Sequence, residues 1–365
     1  MGHKGYVAAE TELDVEKIRE FARRVFTFLG DAAIAATIYL GDRLDLYRAL
    51  DGAGSVTSSE LAEKTGLSER WVREWLRAQA AAGLVRYDGS ERFSLAPEAA
   101  WVLAKETSPA FLAGGFAQLP ALLGVLEKLP QSFRTGLGYP YDALGETGAE
   151  GVERLLGPWF RTMLVPTVLP LLDGVVEKLS RGARVADVGC GAGIALLELA
   201  KAFPRSEFHG YEISDHALER AERHRAEAGV SNVFFHKARA EDLPAESRFD
   251  LVTAFDCLHD MTDPAGACRA VRRAIAEDGT FLVADVKAKP SFEENLAENP
   301  YAGALYSFSI LACLSSALSE PGGAGLGTLG FPEPVARKMM QEAGFRRFRR
   351  LDVDNPFQAF YEVRP

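Results

Sequence analysis

The sequence predicts a two-part protein, in which a mostly helical unit precedes an α/β domain built on a parallel sheet. Two observations support this fold class. Strand-like and helix-like segments alternate after residue 181, and a glycine-rich turn joins the first of these strands to its helix. Such alternation is typical of parallel sheets with helices on both faces. The chain has 365 residues, of which 47% are hydrophobic, so it can form substantial cores.

The first element predicted is helical and covers residues 11–50. Apolar residues recur at helical spacing from Val15 to Leu29, and a second apolar segment runs from Ala32 to Leu50. The apolar surface of such long helices must be buried against other elements. The same chain or a partner subunit would provide those elements equally well.

The sequence pattern of residues 55–103 predicts a winged helix, because two predicted short helices are followed by a predicted hairpin. Ser58 begins the first helix with a capping signal, and Ser68 begins a second that runs to about Ala82. The hairpin turns at Asp88-Gly89. Trp71 and Trp75 are four residues apart on one face of the second helix, so we expect burial for their bulk.

Residues 107–180 predict a helical linker that contains a loop at 136–141 and a final helix from Pro158 to Leu179. We therefore divide the chain into 1–105, 106–180 and 181–365, with an insertion at about 290–332 in the last part. Within that part we predict seven strands, at 183–188, 207–211, 232–236, 249–255, 279–286, 345–351 and 358–363.

The run from Asp187 to Gly193 closes the first of these strands and opens a helix. Glycine tolerates the backbone angles of such a bend and lets a cofactor lie against it. The third glycine comes one residue too early for the dinucleotide fingerprint, which favours a nucleoside-type cofactor over NAD. Glu212 ends the second strand about twenty residues further on, where an acidic side chain can bind ribose hydroxyls.

Gly189, Gly191, Gly193 and Glu212 together resemble the class I S-adenosylmethionine-dependent methyltransferases, through residues 183–365. The resemblance implies a Rossmann-like, seven-stranded methyltransferase sheet whose last strand is antiparallel, with S-adenosyl-L-methionine as cofactor. It also implies that Asp187 approaches the methionine amino group of the cofactor and that Phe255 and Asp256 form the wall of its pocket. The adenine contacts would come from Ala240, Glu241 and Asp242. Many relatives have an acidic residue where this chain has Arg239.

The segment that follows the fourth strand lies at the edge where open α/β sheets bind ligands. Leu258-His259-Asp260 is similar to the motif of small-molecule O-methyltransferases of secondary metabolism, in which the histidine is the general base. Those relatives usually have Trp where this chain has Met261. We predict His259 as the candidate base, with its ring oriented by Asp260 or another carboxylate. A structural histidine that hydrogen-bonds the loop fits the sequence equally well.

Asp256 and Asp285 end neighbouring strands, as do the carboxylates of the catechol-type magnesium methyltransferases. Those enzymes have Asn after the second Asp, where this chain has Val286. A hard cation needs several oxygen ligands, so we predict a site without metal.

Aromatic and methionine side chains in the linker and the insertion predict a largely apolar or aromatic acceptor. The candidate pocket residues are Tyr139, Tyr141, Phe160, Met163 and Tyr306. The glycine-rich segment from Glu320 to Gly327 fits a mobile flap or an ordinary loop equally well.

These observations predict methyl transfer to a small molecule, at oxygen. Transfer to nitrogen or carbon without a histidine base is one alternative, and a ligand-binding winged-helix transcriptional regulator is another. In such a regulator Arg70, Arg73 and Arg77 would approach DNA phosphates. Residues 51–105 are slightly acidic overall, and the resemblance implies that the winged helix dimerises and covers the partner's active site. We therefore expect a homodimer that does not bind nucleic acid.

The net charge of −10 and the pI of about 5.3 also argue against phosphate-backbone binding. No run of 18 apolar residues and no signal sequence are found, so we expect no membrane span. The four cysteines lack metal-like spacing, which is consistent with a reduced, cytoplasmic protein.

Overall fold

The computed structural model of the chain describes residues 13–365. The chain forms two compact units, which divide between Ala99 and Ala100. Each unit is described separately below.

The first unit begins with α1 (Val15–Arg43) and α2 (Leu46–Leu50). The Asp14 side chain caps α1 by accepting hydrogen bonds from the backbone N–H groups of Glu16 and Lys17. Eight large apolar side chains between Leu13 and Leu29 are exposed. By length and composition, α1 is also long and apolar enough to cross a membrane. One such helix is weak evidence for a membrane span. The expected absence of a span therefore stays a prediction.

The winged helix forms as predicted. Its helices are α3 (Ser58–Thr65) and α4 (Glu69–Ala81), and its strands are β1 (Val56–Thr57), β2 (Arg86–Gly89) and β3 (Arg92–Ser94), in the order β1-β3-β2. A capping box starts α3, because the Thr57 side chain and the Glu60 side chain each bond the other's backbone N–H.

The prediction for the two tryptophans is half wrong. Trp75 is buried, its ring meets Tyr47 edge-on at 5.1 Å, and its Nε1–H donates to the Thr37 carbonyl at 2.9 Å. Trp71 is 80% exposed instead. Side chains four residues apart on a helix point in directions that differ by about 40°. This difference is enough to turn the Trp71 ring away from α1 while the Trp75 ring packs against it.

The helical stretch that leads into the sheet comprises α5 (Pro97–Leu103), α6 (Leu119–Gly124), α7 (Leu129–Thr135), α8 (Gly145–Trp159) and α9 (Val175–Arg181). The predicted single helix from Pro158 to Leu179 is wrong. Pro158 lies inside the last turn of α8, and the chain continues through a wide π-helical stretch at Phe160–Val168. The missing N–H groups of prolines inside this stretch disfavour regular α-helix. Gly174, with φ +73°, then separates it from α9.

The second unit is organised around one seven-stranded sheet. Its strands are β4 (Arg184–Val188), β5 (Glu207–Glu212), β6 (Val233–Lys237), β7 (Phe249–Phe255), β8 (Ile275–Val286), β9 (Arg347–Leu351) and β10 (Gln358–Arg364). The order is β6-β5-β4-β7-β8-β10-β9, and β10 is antiparallel to both of its neighbours. This is the sheet that the sequence predicts.

Helices α10 (Ile194–Ala202), α11 (Asp215–Ala228) and α12 (Pro264–Ala274) connect the parallel strands. Because the chain leaves β4 towards β5 on one side and returns to β7 on the other, a crevice opens at the carboxyl end of β4. Val188 pairs with Tyr211 and with Ala254, and Phe255 pairs with Ala284. The register thus places the glycine turn, Glu212, Asp256 and Asp285 along one edge of the sheet.

The predicted insertion is mostly helical. It contains α13 (Phe292–Glu298), α14 (Ala302–Phe308), a wide turn at Ser309–Cys313 and α15 (Leu314–Ala317). The glycine-rich segment follows, and α16 (Glu333–Glu342) returns the chain to β9.

Candidate active site

The turn between β4 and α10 presents bare backbone to the crevice. Gly189, Gly191 and Gly193 have φ values of +68°, +53° and +74°, which residues with a Cβ rarely adopt. A Cβ on Gly189 would lie 2.8 Å from the Cβ of Cys257, whereas a Cβ on Gly191 would point into open space. The turn therefore leaves room for a ligand directly over Gly191.

Glu212 is fixed beside this turn by three backbone donors. Its Oε2 accepts the N–H of Gly191 at 2.9 Å, and its Oε1 accepts the N–H groups of Ile213 and Ser214 at 2.8 and 2.9 Å. Burial raises the pKa of Glu212, and the backbone hydrogen bonds oppose that rise. A carboxylate accepts about four hydrogen bonds, so capacity remains for a ligand hydroxyl.

Asp187 is buried at the end of β4, beneath the turn. The Thr253 hydroxyl donates a hydrogen bond to its Oδ1 at 2.6 Å. Burial, with a smaller contribution from the Glu212 charge, raises the pKa of Asp187 to about 7. Its carboxylate would be stabilised by a ligand that carries positive charge.

His259 and Asp285 form a buried dyad at the ends of β7 and β8. The imidazole Nδ1 lies 2.6 Å from Oδ1 of Asp285, which also accepts the N–H of Val286 at 2.7 Å. Burial disfavours the imidazolium, but the neighbouring groups together outweigh it, with the Asp285 carboxylate the largest of them, and the pKa of His259 lies well above its ordinary value. Asp285, rather than the neighbouring Asp260, is thus the carboxylate that orients the ring.

The sequence indicated Asp285 only as a possible metal ligand. Its position at the end of a strand next to β7 was the available signal for the dyad. The pairing itself depends on how the loop from Cys257 to Met261 folds back over β8, which strand periodicity does not predict.

Negative charge accumulates around the crevice. Burial raises the pKa of Asp256 to about 6 and that of Asp260 to about 7, while the His259 charge opposes both shifts. Within residues 13–365, no ion pair joins a Lys or Arg to Asp187, Glu212, Asp256 or Asp260. Buried carboxylates are costly unless they are paired, so the crevice favours a cationic ligand. S-adenosylmethionine, with a sulfonium and an ammonium group, fits this requirement.

Two buried carboxylate oxygens at this edge of the sheet, one of them in the dyad, have no hydrogen-bond partner among the described residues. Oδ1 of Asp256 and Oδ2 of Asp285 are buried and accept no hydrogen bond from any residue of the described chain. Asp256, His259 and Asp285 each offer one ligand atom, and these three atoms lie within 4.8 Å of one another, so the residues could hold a divalent cation. Asp256 also has φ +57°, a conformation that non-glycine residues tend to adopt at functional sites.

The predicted adenine segment forms a short 3₁₀ turn, in which Ala240 is buried, Glu241 is half-buried and Asp242 is exposed. Arg239 precedes this turn and does not take the role of an acidic adenine contact. Its Nη1 lies 2.7 Å from Oε1 of Glu320, and its Nη2 donates to the Thr262 hydroxyl at 2.6 Å. Arg239 therefore links the adenine segment to the insertion.

The glycine-rich segment is fastened to the loop that contains His259. The N–H of Ala324 donates to the Thr262 carbonyl at 2.9 Å, and the N–H of Gly327 donates to the His259 carbonyl at 3.0 Å. These contacts hold the segment against the loop that contains His259, and the mobile flap and the ordinary loop both stay predictions.

The predicted pocket residues differ in how they relate to the dyad. Burial, followed by the charges of Glu212 and Asp260, raises the pKa of Tyr141 above its ordinary value. Tyr139 is buried and its hydroxyl donates to the Leu311 carbonyl in the insertion.

The other three predicted pocket residues make different contacts. The Phe160 ring lies in the main core, 4.9 Å from the ring of Phe255, the predicted cofactor wall. Met163 is half-buried in the wide helical stretch, and Tyr306 packs against Phe292 at 5.8 Å. All five residues therefore remain predicted pocket residues, and Phe160 and Met163 lie on the same wide helical stretch.

Family models match both parts of the chain. A methyltransferase domain model matches residues 179–325, and a model described as an Rv2258c-like winged HTH domain matches residues 32–105. The two matches agree with the winged helix and the seven-stranded sheet described above.

Among curated proteins, a ubiquinone biosynthesis O-methyltransferase of Neisseria meningitidis serogroup C is 32% identical over 139 residues, which are 36% of this chain and 56% of that protein. An uncharacterized methyltransferase of Bacillus subtilis, YcgJ, is 35% identical over 103 residues, which are 28% of this chain and 40% of that protein. The chain therefore spans 56% or less of the length of these two relatives.

Solved structures resemble nearly the whole chain. Human N-acetylserotonin methyltransferase, in complex with S-adenosylmethionine, superposes with a TM-score of 0.65 at 15% identity, covering 97% of this chain and 99% of that one. Mitomycin 7-O-methyltransferase superposes with a TM-score of 0.64 at 20% identity, covering 96% and 99%. At these identities the likeness establishes the fold. The chain thus has the fold of these proteins, with a region that matches a winged helix-turn-helix model followed by a region that matches a methyltransferase domain model.

Proposed function

We propose that this protein is an S-adenosylmethionine-dependent methyltransferase that acts on a small, largely apolar or aromatic molecule, at oxygen. The observation that supports this most strongly is the crevice at the end of β4. There an open glycine turn lies beside the backbone-fixed Glu212, and buried carboxylates lack basic partners. A cationic nucleoside with ribose hydroxyls meets all three requirements.

In this proposal, different residues bind different parts of S-adenosylmethionine. Glu212 would accept hydrogen bonds from the ribose hydroxyls, and Asp187 would hold the methionine ammonium group. Ala240, Glu241 and Phe255 would line the adenine and the methyl end. When bound, S-adenosylmethionine supplies a methyl group activated by its positively charged sulfur. Bringing the acceptor oxygen in line with the sulfur–methyl bond can provide most of the acceleration.

His259 acts as the base in this proposal. Asp285 holds the Nδ1 side of the ring, which leaves Nε2 to take the proton from the acceptor hydroxyl. Asp260 and Asp256 stabilise the resulting imidazolium through their charges. Tyr139 and Tyr141 present aromatic surface to the acceptor.

Incubation with S-adenosylmethionine and a panel of phenols, amines and carbon acids tests the proposal. We expect phenols that gain one methyl group, with S-adenosylhomocysteine formed in equal amount. Transfer to amines or carbon that survives the change His259→Ala would favour the alternative in which the histidine is not a base. No product from any class, despite cofactor binding, would contradict an enzymatic role.

We further propose that the winged helix serves dimerisation and covers the acceptor site of the partner, rather than binding DNA. The arginines of α4 support this, because each is paired with a glutamate. Arg70 lies 2.6 Å from Glu74, Arg73 lies 3.5 Å from Glu69 and Arg77 lies 3.0 Å from Glu91. Electrophoretic mobility shifts with random duplex DNA at low salt test the alternative, and stable binding would favour a regulator.

The four cysteines are free thiols. Free thiols are typical of reducing compartments, so we propose a cytoplasmic location. Fractionation of the native host cell tests it, and recovery of the protein with the membrane would contradict it.

A further inference from the structure

A cavity beside the edge strand β9 lies far from the crevice. It has a volume of about 480 Å³, which is within the range of small-ligand sites. β10 begins at Gln358, opposite Val286 at the carboxyl end of β8, and runs back to Arg364. Arg364 pairs with Arg347 at the start of β9, and both residues line the cavity. The cavity therefore lies towards the amino ends of the parallel strands, away from the glycine turn.

The lining of this cavity is basic, although the whole chain has a net charge of −10. Two carboxylates contribute to it, those of Asp173 and Glu362. Five arginines contribute as well, namely Arg337, Arg346, Arg347, Arg349 and Arg364. The arginines thus exceed the carboxylates by three. A concave surface with an excess of one charge concentrates ions of the opposite charge, so this cavity favours an anion.

Three of these arginines are held in place by other side chains. Nη2 of Arg349 lies 2.6 Å from Oε2 of the buried Glu362, and Nη2 of Arg364 lies 2.7 Å from Oε1 of the same carboxylate. The Arg337 guanidinium lies over the Phe348 ring, 4.5 Å from its centre. Side chains that are already fixed lose little conformational entropy when a ligand binds. These three arginines therefore form a preorganised positive wall.

Arg346 and Arg347 have charges that the protein does not neutralise. Within residues 13–365, no ion pair joins either guanidinium to a carboxylate. Their backbone is fixed, because the N–H of Arg346 donates to the Arg364 carbonyl at 3.0 Å and Arg347 is the cross-strand partner of Arg364. Like charges directly opposite each other on antiparallel strands are destabilising. An anion bound between these side chains would relieve the repulsion.

We propose that this cavity binds the diphosphate group of a small phosphorylated molecule, with Arg346 and Arg347 as its direct ligands. The planar arginine fork can donate two parallel hydrogen bonds to phosphate oxygens. One phosphate carries about 1.5–2 negative charges at neutral pH, so two linked phosphates match the excess of three arginines better than one does.

The shape of the cavity favours a small molecule over a nucleic acid. Its wall comes from α16, β9, β10 and Asp173, which precedes α9. These segments form a compact site, whereas proteins that follow a nucleic-acid backbone present an extended basic stripe. The inference is independent of the proposed methyl transfer, because none of these residues belongs to the crevice.

Calorimetric titration of the full-length protein with sodium pyrophosphate tests the proposal. We expect one site per chain. The double change Arg346→Gln with Arg347→Gln should weaken binding by about tenfold or more, because it removes hydrogen bonds between charged groups. Arg134→Gln with Arg205→Gln removes two charges from exposed positions outside the cavity and should bind like the wild type. No binding by the wild type, or an equal loss in both double variants, would overturn the proposal.

Two further measurements locate the anion and identify its source. Saturating S-adenosylhomocysteine should leave pyrophosphate binding unchanged, whereas displacement of pyrophosphate would place the anion in the crevice and contradict the proposal. Vesicles of phosphatidylglycerol should not bind the protein more tightly than neutral vesicles do. Binding to the anionic vesicles without binding to pyrophosphate would replace the proposed site by a membrane contact.

Discussion

Nδ1 of His259 lies 2.6 Å from Oδ1 of Asp285, and both side chains are buried. This contact joins the end of β7 to the end of β8 and leaves one imidazole nitrogen for another partner. Because the Asp285 charge favours the imidazolium, His259 must lose its proton before it can act as a base.

We therefore predict that kcat/KM rises with pH along a limb that lies above pH 6.5, the ordinary pKa of histidine. The change Asp285→Asn removes the charge that raises the pKa of His259, so the limb should move to lower pH while the maximal rate falls. Loss of the base itself, in His259→Ala, should cost about 10²- to 10⁴-fold in kcat. The readout is the pH dependence of S-adenosylhomocysteine formation.

The matched control for Asp285→Asn is Asp278→Asn. Asp278 lies on the same strand, is exposed and pairs with Lys178 at 2.7 Å, so its change should leave the profile unmoved. If Asp285→Asn lowered the rate without shifting the limb, the carboxylate would be structural rather than a positioning group for the base.

The buried carboxylates predict how stability depends on pH. Asp187 and Asp260 have pKa values of about 7 in the folded chain, against about 4 when unfolded. Between these pH values the folded chain holds more protons, so the free energy of unfolding falls as pH rises from about 4 to about 7. Thermal melts of the ligand-free protein across this range should show that decline, and Asp187→Asn should flatten it.

The same groups should release protons when a cation binds. Near pH 7 part of the Asp187 population is protonated, and a nearby ammonium group lowers its pKa. The heat of S-adenosylmethionine binding should therefore differ between phosphate and Tris buffers, whose ionisation enthalpies differ. Equal heats in the two buffers would mean that no proton leaves, contrary to the assigned position of Asp187.

The exposed apolar face of α1 predicts a dimer. Phe21 and Val25, which are 66% and 63% exposed, lie one helical turn apart on this face. Introducing Phe21→Asp together with Val25→Asp should convert the dimer to monomer and reduce methyl transfer, as measured by light scattering and turnover. Arg23→Asp with Thr27→Asp places two aspartates on the polar face, with a larger change of net charge, and should leave the dimer intact. A monomeric wild-type protein would refute this assignment.

We predict that turnover does not need a metal. Although Asp256, His259 and Asp285 could hold a cation, a metal on Nδ1 would displace the hydrogen bond that orients the proposed base. Activity should survive prolonged dialysis against EDTA and should not increase when Mg²⁺ or Mn²⁺ is added. A strict requirement for either ion would reassign these three residues as ligands.

Much of the second unit could be predicted from the sequence, because its local signals agree with the fold. The glycine turn, the apolar strands and Glu212 are each specified by a few neighbouring residues, and the structure places them within one or two residues of the prediction, except that β8 begins four residues earlier, at Ile275. The helix expected from Pro158 to Leu179 failed because Pro158, which can begin a helix, here lies inside one.

Long-range contacts set the features that could not be predicted. The exposure of Trp71 depends on which side of α4 meets α1, and the partner of His259 depends on the path of a loop over a neighbouring strand. Likewise, nothing local to Arg239 indicates that it pairs with Glu320, which is 81 residues away. Periodicity describes the elements, whereas these pairings arise from how the elements pack.

The central claim, that S-adenosylmethionine binds over Gly191 with its ribose on Glu212, is tested most directly by calorimetric titration of the purified protein. We predict one site per chain. A hydrogen bond to a charged group contributes about 1.5–3 kcal/mol, so Glu212→Gln should bind roughly 10- to 100-fold more weakly. Glu207→Gln, at the exposed start of the same strand, should bind like the wild type. A folded wild-type protein that takes up no S-adenosylmethionine at millimolar concentration would contradict the claim.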